Sequence, residues 1–75
     1  MDIQDRIEIN PAVLVGKPVI KGTRIAVEFI VELLARDWPE ARILKNYPQL
    51  RHEDILAALN YSAEVLKQET VYSLP

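Results

Sequence analysis

The stretch at residues 26–36 places the strongest constraint on how this chain can fold. Its polar residues Glu28, Glu32 and Arg36 recur every four positions, so they form one narrow stripe along a helix. Apolar side chains cover nearly all of the remaining circumference, and a helix of that kind is buried on most of its sides. A chain of 75 residues has little other protein with which to cover such a helix. The pattern therefore predicts that a second copy or a dedicated partner completes the burial.

The residue types that are missing exclude several classes of protein. The chain has no cysteine and a single histidine, His52, which excludes a disulfide scaffold, a zinc knuckle, a thiol nucleophile and a histidine metal cluster. Lys17 follows Gly16, but the spacing of a phosphate-binding loop is absent, and no nucleophile lies in a convincing pattern with a base. We therefore expect no enzymatic activity, no cofactor, no metal and no small-molecule substrate. Oligomerisation is the remaining way to support a small core.

The apolar runs are also too short for a membrane protein. None approaches the roughly 20 residues that a membrane-spanning helix needs. Asp2 and Asp5 give the start of the chain an acidic character, unlike the basic start of a signal peptide. We expect a cytoplasmic location and no membrane contact.

Periodicity predicts one domain, residues 1–75, of a mainly α class. Residues 1–25 form a β-hairpin region, residues 26–67 form a three-helix core, and residues 68–75 form a tail. Within the core, helices are predicted over residues 26–36, 39–46 and 52–67. The buried face of the third helix is predicted to contain Ile55, Leu59, Ser62, Ala63 and Leu66, with Leu56 beside them.

The N-terminal region carries turn and strand signals. Charged and apolar residues alternate over residues 6–9, which is typical of a short half-buried strand, and Asn10 is suited to cap the turn that follows. Residues 18–20 and 24–27 flank a tight turn in which Gly22 supplies a positive φ. We expect these two segments to pair with each other as a hairpin.

Several blocks of the sequence resemble the DUF433 family. They are Gly16 to Ile25 (GKPVIKGTRI), Trp38, Ile43 and Leu44, Tyr47 and Pro48, Asp54 and Ile55, and Ala57 to Leu59. The resemblance covers roughly residues 3–66. It implies a homeodomain-like helix-turn-helix core of three helices with an added N-terminal β-hairpin. It also implies an antitoxin component of a type II toxin–antitoxin pair, which binds a PIN-like nuclease toxin and helps to repress its own operon.

The chain departs from the family pattern at three helix ends. Asp37 stands where the family often has Gly, which weakens the expectation of a left-handed cap there. Pro39 and Arg51 replace frequent Ser or Thr caps, and a lost cap costs about 0.5–2 kcal/mol. Asp54, three residues after Arg51, still brings a carboxylate to the start of the third helix, where the helix dipole favours it.

The positive charge is concentrated in the middle of the chain. Residues 17–51 contain seven basic and four acidic residues, and the two flanks contain two basic and seven acidic residues. This distribution is compatible with phosphate contacts and equally with self-association. The residues predicted to contact nucleic acid or toxin are Lys17, Lys21, Arg24, Arg42, Lys45, Arg51 and His52.

Each group of cations also has a purely structural explanation. Lys17, Lys21 and Arg24 either keep an edge strand from aggregating or form a wing that contacts phosphates or toxin carboxylates. Arg51 and His52 are either solvated charges at a helix start or the leading residues of a recognition helix. On the second helix, Arg42 and Lys45 could follow the DNA backbone.

The predicted dimer or partner interface consists of Phe29, Ile30, Leu33 and Leu34, although the sequence leaves open which of them belong to the core. The aromatic residues Trp38, Tyr47 and Tyr61 lie near helix ends and fit either the core or an interface. The resulting expectation is a homodimeric antitoxin that binds a PIN-like toxin, with operator DNA as a further candidate partner. A stand-alone helix-turn-helix transcriptional regulator and a plain dimerisation module are the alternatives.

Overall fold

The computed structural model describes residues 3–68, with side chains from Asp5 onward; the predicted tail therefore lies outside the described residues, apart from Gln68. Three helices follow a two-stranded sheet, which confirms the predicted fold class. The elements are 3-10 turns at Ile3–Arg6 and Leu14–Gly16, strands β1 (Ile7–Ile9) and β2 (Pro18–Ile20), and helices α1 (Val27–Ala35), α2 (Glu40–Asn46) and α3 (His52–Gln68).

The hairpin forms from different segments than the sequence predicted. β1 pairs antiparallel with β2, with Ile7 opposite Ile20, whereas residues 24–27 make only a single bridge to β2, between Ala26 and Val19. The reason is that Ala26 is already the N-cap of α1, so the chain leaves the sheet there. The predicted tight turn is present, and Gly22 has φ +82°.

Thr23 and Asn10 stabilise the two turns of this region. The Thr23 hydroxyl donates to the Ile20 carbonyl at 2.8 Å and accepts from the Ile25 N–H at 2.9 Å. After β1, the Asn10 side chain accepts from the Ala12 N–H at 2.9 Å, as its capping role predicts. Both turns are therefore fixed by short polar side chains rather than by apolar packing.

The core lies between α1, α3 and β2, and α2 closes one end. Its buried residues are Ile20, Val27, Ile30, Leu33, Ile43, Leu50, Ile55 and Ala58. Ile30 is 0 % and Leu33 is 6 % exposed, so the single chain covers both without a partner. These two residues of the predicted interface are therefore core residues. Phe29 and Leu34 are half-buried against the same core.

The buried face of α3 is rotated from the predicted one. Leu59 is 44 % and Leu66 is 65 % exposed, and Ala63 is exposed as well, so the assignment of these three residues to the core face is wrong. The buried side chains begin at Asp54 and Ile55. On the buried side, Asp54 forms an ion pair with Arg6, and the small residues Ala57 and Ala58 are buried with it.

The turn between α2 and α3 is anchored by buried and aromatic side chains. The Tyr47 ring meets the Phe29 ring edge-on, with centroids 5.5 Å apart, and Leu50 is buried within the turn. Trp38 and Tyr61, which the sequence left between core and interface, are half-buried against the core. These contacts hold α2 and α3 in one helix-turn-helix arrangement.

A left-handed cap ends α1 although Asp37 replaces glycine. Asp37 has φ +67°, its N–H donates to the Leu34 carbonyl at 2.9 Å, and the Trp38 N–H donates to the Leu33 carbonyl at 3.1 Å. These two bonds form the Schellman pattern. The cap therefore forms with an aspartate in a conformation that favours glycine.

We expect Asp37→Gly to stabilise the protein. Glycine removes the steric cost of the positive φ, and after the added entropy of the unfolded chain the net gain is about 0.5–1 kcal/mol. In a domain of this size such a gain raises the Tm by roughly 2–8 °C. Thermal unfolding followed by circular dichroism measures the effect. Asp37→Ala, which keeps the Cβ atom, is the matched control and should not be stabilised; an unchanged or lower Tm for Asp37→Gly would contradict the prediction.

Candidate functional site

The start of α3 is organised by Asp54. This carboxylate is 4 % exposed, and one oxygen accepts from the Arg51 N–H at 2.9 Å. Arg51 is the N-cap of α3, so Asp54 supplies the acidic half of a capping box. The other oxygen accepts from Arg6 Nη1 at 2.8 Å. Asp54 therefore satisfies the N–H of the N-cap residue, which is a different group from the one a Ser or Thr cap would serve, and joins the N-terminal segment to α3.

The same contacts bring the hairpin turn to the start of α3. The Lys21 N–H donates to the Arg6 carbonyl at 2.7 Å, which extends the hairpin beyond β2. Asp5, Arg6, Lys21 and Asp54 line a cavity of about 350 Å³ at this junction. We name the surface formed by Lys21, Arg51 and His52 around this junction the α3 corner.

Only some of the predicted cations lack a partner within the described residues. Lys17 pairs with Glu28 at 3.0 Å, and His52 Nδ1 lies 2.7 Å from a carboxylate oxygen of Glu40. The Arg42 guanidinium lies 3.9 Å from the centre of the Trp38 ring, in a cation–π contact. Within residues 3–68, the exposed cations with neither an ion pair nor a cation–π contact are Lys21, Arg24, Lys45 and Arg51.

The sequence places the acidic residues Glu53 and Asp54 directly after Arg51 and His52, but only one of these two acids lies at the surface of the α3 corner. Asp54 is neutralised inside the protein by Arg6, so it does not oppose an anion at the surface. Glu53 is the exposed acidic residue of that first turn of α3. Lys21 and Arg51 are exposed on either side of Asp54, and the exposed acids near them are Asp5, which lines the cavity, and Glu53.

An apolar groove between α1 and α3 is a feature that the sequence reasoning missed. It has a volume of about 470 Å³ and is lined mainly by Val27, Val31, Ala35, Tyr61, Val65 and Leu66. We name it the α1–α3 groove. Glu28 and Glu32 are the charged residues of its lining. The spacing of Val27, Val31 and Ala35 at every fourth position was a signal for this stripe, but Leu66 had been assigned to the core.

The described part of the chain contains no group of three or more His, Asp or Glu side chains placed to hold a metal ion. Among the helices described, none combines the length and the apolar character that crossing a membrane requires.

Comparisons with known proteins agree with the sequence resemblance. The family DUF433, described as "Protein of unknown function", matches residues 7–62. The crystal structure of a DUF433 member protein from Anabaena variabilis ATCC 29413 superposes with a TM-score of 0.80 at 36 % sequence identity. The alignment covers 88 % of this chain and 65 % of that protein, so this chain spans less than two thirds of the relative's length. No curated protein matches the chain. The chain belongs to the DUF433 family.

Proposed function

We propose that this protein is a non-catalytic, antitoxin-like component of a type II toxin–antitoxin pair, and that it neutralises a PIN-like nuclease toxin by covering it. The α1–α3 groove is the observation that carries this proposal. Within residues 3–68 the groove is unfilled, with Ala35 and Leu66 of its lining exposed, and apolar grooves with a polar edge are typical of surfaces that bind a partner. The partner would supply the burial that the apolar first helix was expected to need.

The proposed mechanism is steric and needs no reacting group on this chain. The groove would hold the toxin by apolar contact, which supplies most of the affinity of a protein interface. Lys21 and Arg51 at the α3 corner would pair with carboxylates of the toxin or with phosphates of operator DNA. The apolar contacts and the anion contacts of Lys21 and Arg51 would therefore lie on different surfaces.

Co-expression with a PIN-like nuclease encoded next to the gene tests this proposal. We expect the two proteins to copurify, and we expect Ala35→Arg to weaken the complex by about tenfold or more, because it places a long charged side chain in the groove. Ala41→Arg is the matched control, since Ala41 is an exposed alanine on α2 outside the groove lining. Binding is measured by calorimetry on the purified pair. Absence of any complex with the wild-type chain would contradict the proposed function.

A stand-alone transcriptional regulator is the second candidate, and the α3 corner favours it. In a helix-turn-helix protein the start of the last helix meets the DNA, and here that start carries the exposed Arg51, while Lys21 lines the cavity next to Asp54 of the same helix turn. A regulator would bind its operator without a toxin, and its affinity would fall steeply with salt. A plain dimerisation module is the third candidate; it would form a homodimer that binds neither toxin nor DNA.

The double variant Lys21→Glu, Arg24→Glu tests whether the hairpin contacts DNA. We expect operator affinity at low salt to fall by about tenfold or more and the salt dependence to become weaker, because fewer counterions are released on binding. Lys67→Glu at the far end of α3 is the control, since Lys67 already pairs with Glu64. Electrophoretic mobility shifts at several salt concentrations provide the measurement. Equal binding by the variant and the wild type would remove the hairpin from the DNA interface.

A further inference from the structure

The charge on the edge of the α1–α3 groove restricts what can occupy it. Glu28 and Glu32 lie one helical turn apart on α1, and the groove lining described by the structure contains no basic residue. Their present partners are Lys17 at 3.0 Å and Arg36 at 2.8 Å, and all four side chains are largely exposed. Exposed pairs of this kind contribute little and exchange readily. The two carboxylates are therefore available to cations of a partner.

A second copy of the chain fits the groove poorly. In a symmetric dimer the same surface faces itself across the axis. Two grooves in contact would bring Glu28 and Glu32 of one protomer towards the same carboxylates of its partner, and like charges that face each other across an interface oppose association. A partner with basic residues along the edge of its apolar surface has the complementary charge.

The shape of the groove matches a helix. Val27, Val31 and Ala35 lie on one face of α1, and the eight steps between the first and the last span about 12 Å, or just over two helical turns. Two neighbouring helices such as α1 and α3 leave a furrow into which the side-chain ridge of a third helix can pack. An amphipathic helix enters such a furrow with side chains at every third or fourth position.

We infer that the α1–α3 groove binds a basic amphipathic helix of the partner, with its apolar stripe against Val31, Ala35 and Leu66 and with Lys or Arg residues one turn apart opposite Glu28 and Glu32. This inference rests on the proposed function, since it specifies which part of the toxin the groove holds. It adds that the toxin segment must be helical, apolar on one face and basic along its edge.

The probe is a fluorescein-labelled helical peptide of about four turns, with leucine at every fourth position and lysines along both edges of that stripe. A second peptide carries glutamate in place of every lysine. Fluorescence anisotropy with the full-length protein should show tighter binding of the lysine peptide by about tenfold or more. Glu28→Gln combined with Glu32→Gln should lower the lysine-peptide affinity by about tenfold. Glu53→Gln, a neutralised exposed acid outside the groove lining, is the matched control and should change nothing.

The variants Ala35→Arg and Ala41→Arg test whether the peptide binds in the groove. Ala35→Arg should abolish peptide binding, and Ala41→Arg should preserve it. Equal affinity for the two peptides, or unchanged binding by the glutamine double variant, would overturn the inference. Sedimentation that shows a dimer of the wild type and a monomer of Ala35→Arg would also overturn it, because a second copy would then fill the groove. A nuclease complex unaffected by Ala35→Arg would refute the inference and leave the proposed function standing. Peptide binding without any nuclease complex would refute the proposed function and leave the inference about the groove standing.

Discussion

Asp54→Ala should cost the protein about 2–4 kcal/mol of unfolding free energy, since the variant loses a helix cap and a charged hydrogen bond together. The alanine leaves the Arg51 N–H without its acceptor and leaves the Arg6 guanidinium, which is largely buried, without a counter-charge. A domain of this length has a total stability of roughly 4–11 kcal/mol, so the loss is a large part of it. Urea unfolding followed by circular dichroism measures the change.

Asp54→Asn is the matched control for this prediction. Its amide oxygen can still accept from the Arg51 N–H, but its charge interaction with Arg6 is lost. We expect its unfolding free energy to lie between those of the wild type and Asp54→Ala. A double-mutant cycle with Arg6→Ala separates the pair from the cap, because the coupling energy contains only the Arg6–Asp54 interaction. If Asp54→Ala had the same urea midpoint of unfolding as the wild type, the role of Asp54 at the start of α3 would be contradicted.

The three helices could be predicted from the sequence because each carries a strong local signal. Residues 26–36 have a repeat of four, and Pro39 and Pro48 mark the boundaries of the short α2. The pairing of the hairpin could not be predicted in this way. β1 and β2 have three residues each, and the choice of partner depends on where α1 begins and on the contact between the Arg6 carbonyl and the Lys21 N–H.

The sequence could identify residues of the candidate site, but it could not predict which of them lie close together. The resemblance motif contains Lys21, and Arg51 was identified from its position at the start of the third helix, but their placement around Asp54 depends on the ion pair between Arg6 and Asp54, which lie 48 positions apart. A local pattern carries no information about such a contact. Since the sequence gives only the spacing of apolar residues around α3, a small rotation of this helix moved Leu66 from the predicted core to the groove.

The structure also changes the expectation that α1 needs a partner. That expectation rested on the whole circumference of α1, yet the rest of the chain buries Ile30 and Leu33 in its own core. What remains for a partner is the narrower stripe of Val31 and Ala35 beside α3. A requirement for a second copy therefore no longer follows from α1 alone, whereas a binding surface on its outer side does.

Leu33→Asp should unfold the protein rather than separate a dimer. Leu33 is 6 % exposed and belongs to the core cluster with Ile30, Ile43 and Ile55. Truncating a buried leucine costs about 2–5 kcal/mol, and an unpaired carboxylate in its place adds the cost of burying a charge. We expect the helical circular dichroism signal and the cooperative unfolding transition to be lost at 25 °C.

Ala35→Asp is the control, because it places the same side chain two residues further along α1 at an exposed position. An aspartate near the end of a helix is unfavourable by only about 0.3–1 kcal/mol, so this variant should unfold cooperatively close to the wild type. Sedimentation at matched concentrations distinguishes unfolding from dissociation. If Leu33→Asp stayed folded and changed from a dimer to a monomer, Leu33 would lie on an interface, and the core position that the single chain assigns to it would be incorrect.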